Sequence, residues 1–97
     1  MDPVEVSERA LALAKKYVWW QGPERTLADP ANLFAQIMTL GTVEDVRWLL
    51  TCASRDDLRT VLRDPPIGTF NGRSWAYWHR WLDQMPIPPL PTRTLPP

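Results

Sequence analysis

The side chains with which this chain could do chemistry are few. There is one histidine, His79, and one cysteine, Cys52, and there are two adjacent acid pairs, Glu44–Asp45 and Asp56–Asp57. A thiol in contact with an imidazole would give a nucleophile and its base. Helical spacing puts Cys52 and His79 on different elements, so the sequence offers no such pair. His79 lies inside a tryptophan-rich run, where packing or hydrogen bonding is the usual duty of an imidazole. Cys52 reads as a small buried apolar residue. Both acid pairs fall in first helical turns, where carboxylates satisfy free N–H groups and complement the helix dipole. There is no glycine-rich phosphate loop, and a lone cysteine gives neither a disulfide framework nor a thiolate metal cluster. The expectation is a protein that is not an enzyme, with no catalytic residue, metal or cofactor.

Binding chemistry is better represented. Residues 70–83 hold Trp75, Tyr77, Trp78 and Trp81 on one short helical pattern. At about 100° per residue, Tyr77, Trp81, Trp78, Leu82 and Trp75 share one arc, Asp83, Ala76 and Arg80 share the other, and His79 lies on the border. Trp20, Trp75 and Trp78 are expected in the core. Trp19 and Trp48 fall off the main stripes of their helices, which suits a flanking packing layer or a protein-binding surface equally well, since Trp and Arg are common interface anchors. Pro88-Pro89-Leu90-Pro91-Thr92-Arg93 matches a PxxPxR pattern of the kind SH3 domains read. The candidate partner-binding residues are Trp19, Trp48, Trp81, Ile87, Leu90 and Arg93. A second reading is a DNA-binding regulator, alone or as a homodimer. It would use the helix at 54–63, where Arg55, Arg59 and Arg63 recur at i, i+4 and i+8. Asp56, Asp57 and Asp64 beside that ridge, and a formal net charge of zero, weigh against nucleic acid.

These groups need elements to hold them. With 97 residues and 44% hydrophobic side chains, the expectation is one small folded domain. No segment alternates with period two, so the expected class is all-α: about five short helices in a compact bundle. The first should run from Val4 to Trp20, with Val6, Ala10, Leu13, Ala14, Tyr17 and Trp20 inward, stopped by Gly22-Pro23. Asp29 and Pro30 should start a second, with Leu33, Phe34, Ile37, Met38 and Leu40 inward and Ala35 outward, closed by Gly41. Thr42 should cap a third, with Asp45 completing a relative of the capping box and Val43, Val46, Leu49, Leu50 and Ala53 inward. Ser54 should cap a fourth that buries Leu58, Val61 and Leu62, ended by Asp64-Pro65-Pro66. Asn71 or Ser74 should cap the aromatic helix. Residues 1–85 form the expected helical domain. Residues 86–97, rich in proline, form an expected extended tail that docks through Ile87 and Leu90 on its own domain or on a partner. No apolar run is long enough to span a bilayer, and the acidic start lacks a signal peptide's basic region, so the expected location is the cytoplasm, with no membrane partner.

Two motifs carry a resemblance. The first is Gln36-Ile37-Met38-Thr39-Leu40-Gly41-Thr42-Val43-Glu44-Asp45-Val46-Arg47-Trp48-Leu49. The second is Phe70-x-x-Arg73-Ser74-Trp75-x-Tyr77-Trp78-His79 with the Pro-Pro-Leu-Pro-x-Arg tail. Across residues 10–93 the chain resembles small bacterial helical proteins encoded beside nucleotidyltransferase-like toxins of the abortive-infection type. Such pairs are read as toxin–antitoxin systems in which the small member is the antitoxin. The resemblance implies a protein partner, the nucleotidyltransferase toxin, and carries no catalytic residues with it.

Overall fold

Ala31–Leu40 explains the architecture. Leu33, Phe34, Ala35, Ile37 and Met38 cover most of its circumference and all are buried. A helix that is apolar nearly all round must be enclosed. This helix, α3, packs against every other helix of the computed structural model. The model describes residues 1–91. The other helices are α1 (Glu8–Tyr17), α2 (Pro23–Ala28), α4 (Val43–Cys52), α5 (Arg55–Arg63) and α6 (Gly72–Trp81). Among the described residues there is no strand, and no helix is long and apolar enough to cross a membrane.

Local chemistry sets the helix starts. Ser7, Thr42, Ser54 and Asn71 each accept from a backbone N–H one turn ahead. Ser54 with Asp57, and Asn71 with Ser74, form complete reciprocal capping boxes. Gly41 ends α3 for a different reason from the usual left-handed C-cap. Its φ is an ordinary −66°, but a Cβ there would lie 2.5 Å from the carbonyl oxygen of Ile37. The chain turns too closely over α3 to admit a side chain.

The sequence reading needs several corrections. There are six helices among the described residues: α1 ends at Tyr17 with Val18 as its cap, before Gly22-Pro23 is reached, and Pro23 instead starts α2, in the first turn where its missing N–H costs nothing. The first helix is also shorter than expected. Residues before Ser7 run alongside α2 instead, where the Val4 N–H donates to the Leu27 carbonyl at 2.8 Å. Val6 and Trp20 consequently lie outside the helix and are exposed. Pro30, not Asp29, occupies the cap of α3. Ala35 is buried and Leu40 exposed, the reverse of the expectation, because α3 is enclosed along its middle and emerges at its end. Val43, Leu50 and Tyr77 are also exposed. Cys52 is exposed as well, not buried.

Candidate protein-docking site

The end of α3, the first turns of α4 and one face of α6 enclose a hollow of about 440 Å³. Its geometry follows from the hydrogen bonds that fix α6 to α3. The Trp78 indole N–H donates to the Met38 carbonyl at 2.7 Å, and the Thr39 and Ser74 hydroxyls lie 3.4 Å apart. Met38 and Trp78 thereby form the floor. Val43, Val46 and Tyr77 form the apolar walls, and Arg47 and Arg73 stand at the margin. Val43 is the first residue of α4, placed beyond the reach of the core, and Tyr77 sits one position too far round α6 to be covered. Beyond Tyr77 the surface continues through Ala76, Arg80 and Trp81. No Asp or Glu lines either part. Among the described residues, Arg47, Arg73 and Arg80 make neither an ion pair nor a side-chain hydrogen bond.

Asp45, two residues from Val43, faces the opposite way. Its backbone N–H donates to the Thr42 hydroxyl as expected for a cap, but its carboxylate turns inward rather than back to the cap. It accepts from the Tyr17 hydroxyl at 2.5 Å, from Lys16 Nζ at 3.2 Å and from Arg9 Nη2 at 2.9 Å. Burial pulls this carboxyl upward, but the hydrogen bonds from Tyr17 and Lys16 outweigh it and hold the group below the usual carboxylate range. The same contact raises Tyr17, chiefly through burial and then through the bond to Asp45. The cluster ties α1 to α4 with its polar groups satisfied, so it is a structural clasp.

The arginine ridge of α5 is also committed. Arg55 Nη2 donates to the Trp81 carbonyl at 2.9 Å, and its guanidinium stacks 4.8 Å from the Trp81 ring. Arg59 donates through Nε to the Leu82 carbonyl at 3.1 Å and through Nη1 to Asp56 at 3.0 Å. Two cations thus meet carbonyls that the end of α6 leaves unpaired, the polarity the helix dipole favours. Arg63 is exposed and lines a separate hollow with His79 and Asp83. The α6 end closes as a Schellman motif: the Gln84 N–H donates to the His79 carbonyl and the Asp83 N–H to the Arg80 carbonyl. Asp83 takes the left-handed position, φ 59°, usually given to glycine.

After this turn the chain folds back on α6. The Trp75 indole N–H donates to the Pro88 carbonyl at 2.8 Å, and Ile87 and Leu90 are half-buried against the core. The residues 86–91 therefore dock on their own domain. Arg93, and the remainder of the PxxPxR pattern from Thr92, lie outside the described residues. His79 is only 3% exposed. Its ring packs edge-on against Trp75, and Nδ1 lies 2.7 Å from the Trp75 carbonyl, which can only accept, so Nδ1 carries a proton.

The other candidates sit apart. Among the described residues Trp19 is the most exposed large apolar one, at 77%, and it stacks edge-on with Trp20 at the α1–α2 corner. Trp48 is half-buried against the core and lines a small hollow with Val4, Ser7 and Cys52. Although Cys52 is exposed as a residue, partial desolvation around its sulfur raises the thiol above its usual range, which disfavours the thiolate a nucleophile needs. Cys52 and His79 line different hollows. Among the described residues no three His, Cys, Asp or Glu side chains converge as metal ligands. Of the sequence candidates among the described residues, Trp81 alone adjoins the groove. Val43, Tyr77, Arg47 and Arg73 are not among the sequence candidates: the helical period counts Val43 as inward, and places Tyr77 on the same aromatic arc as the core tryptophans without assigning it a role. No family model, curated protein or solved structure matches the chain.

Proposed function

We propose that this protein is a non-enzymatic protein-binding module, antitoxin-like, whose partner is a nucleotidyltransferase toxin. The observation that supports it is the run of exposed aromatic and aliphatic side chains on α4 and α6, from Val43 through Tyr77 to Trp81, with three arginines that make no ion pair among the described residues. Tyr, Trp and Arg dominate the energetics of protein interfaces, and an exposed apolar patch rimmed by polar side chains is a common place for another chain to dock. The nucleotidyltransferase is named by the resemblance of the two motifs alone. On this reading the helical face of α4 and α6 covers the toxin surface and closes its nucleotide or substrate entrance. The test is co-expression with the nucleotidyltransferase encoded beside this gene. Growth rescue and co-purification are expected, with at least tenfold weaker complex formation for Tyr77→Ala combined with Trp81→Ala. Absence of both rescue and a complex would overturn the toxin assignment.

A further inference from the structure

We infer that the groove between α4 and α6 takes an amphipathic helix with acidic flanks, supplied by the partner protein. This deepens the reading of the chain as a protein-binding module and rests on it. Charge complementarity identifies the occupant. The floor and walls, Met38, Val43, Val46, Tyr77 and Trp78, are apolar, while Arg47 and Arg73 stand free at the margin with no acid among the lining residues. An apolar stripe flanked by carboxylates satisfies both parts at once. The described residues contain no strand edge to extend, which removes strand addition, and a helix brings its own backbone hydrogen bonds to an apolar groove. The chain's own proline-rich tail is a poor occupant. Residues 86–97 carry Arg93 and no acid, which places like charge against Arg47 and Arg73. A nucleic acid would meet mostly apolar surface where it needs cations along the whole path.

The experiment uses the full chain, labelled with ¹⁵N, and three synthetic helical peptides of identical apolar face whose polar positions are all Glu, all Gln or all Lys. The Glu peptide is expected to bind at least tenfold more tightly than the Gln peptide, and to shift amides of α4, α6 and the end of α3. Arg47→Glu with Arg73→Glu should reverse the order, so that the Lys peptide binds best. Both arginines are exposed and unpaired, and an unchanged melting temperature would show that the variant stays folded. Equal affinities, no binding, shifts centred on Trp19 and Trp20, or an order indifferent to charge reversal would each overturn the inference. So would a DNA duplex, or a peptide of residues 86–97, that displaces the Glu peptide from the groove. The toxin complex separates this inference from the broader reading. A complex that forms and survives the charge reversal removes the groove but leaves the binding module. Peptide binding without any toxin complex leaves the groove but removes the toxin.

Discussion

The two faces of α6 carry nearly the same chemistry and use it in opposite ways. On the inner face, Trp75, Trp78 and His79 each have a hydrogen bond to a named carbonyl: Pro88, Met38 and Trp75 respectively. On the outer face, Tyr77 and Trp81 have the same kinds of ring, but among the described residues neither donates a side-chain hydrogen bond, and Arg73 and Arg80 are unpaired. An indole or a guanidinium therefore does not reveal its role by type. What separates the two roles is whether every polar atom already has a partner inside the domain.

The largest break in this comparison should come from neighbouring rings. Trp78→Ala removes a buried ring and strands the Met38 carbonyl, and is expected to cost about 3–5 kcal/mol, enough to threaten folding of so small a domain. Tyr77→Ala, one residue away, should cost about 0.5 kcal/mol or less. Chemical denaturation of the pair measures both, and similar losses would erase the distinction between the faces.

The contrast extends to α4, where Asp45 points in and Arg47 points out. Asp45→Ala should cost about 1.5–3 kcal/mol, because it leaves the Tyr17 hydroxyl without an acceptor. Its pH dependence has a definite sign. The folded-state carboxyl lies below its usual value, so its contribution is present at neutral pH and is lost as pH falls through the folded-state pKa. Melting curves from pH 7 to pH 3 should show wild type losing more stability than Asp45→Asn. An identical slope in the two proteins would show that the clasp does not form.

Smaller substitutions sharpen the same comparison. Trp75→Phe keeps most of the ring but removes the donor to Pro88, and should cost about 1 kcal/mol while loosening residues 87–90. Trp81→Phe, whose indole N–H has no acceptor among the described residues, should cost less than about half as much. Differential scanning calorimetry resolves the two. Smallest of all, Asp83→Gly should stabilise by about 0.5 kcal/mol, since glycine adopts the left-handed position without a steric penalty.

The order of legibility follows the range of the interactions. Some caps that act within one turn were readable: Thr42 and Ser54 start helices where their side chains predict, and Asn71 is one of the two residues expected to cap α6, whereas Ser7 and Pro30 were not foreseen. The burial of Leu58, Val61, Trp75 and Trp78 was readable too, because each belongs to a clean stripe. Helix α2 was not, because six residues are too few to show a period. Asp45 was misread because the third helical position suits an acid for two reasons, one local and one supplied by a tyrosine 28 positions earlier. The groove was hidden for a related reason. Val43 and Tyr77 obey the helical period, yet their neighbours end before covering them, and where a neighbour ends is a property of the packed molecule.

The central position of α3 bears on how the molecule opens. Every other helix rests on it, so no motion that detaches a single peripheral helix exposes its middle turns. Amide protons of Phe34 through Met38 should exchange with solvent only when the whole domain unfolds, and their exchange free energies should equal the global value. Amides in α2 should exchange through smaller openings, since that helix is short and lies chiefly against α1 and α3. A partner that grips α4 and α6 would then hold the half of the molecule built on the C-terminal side of α3, and its binding would slow exchange there before it slowed exchange in α2.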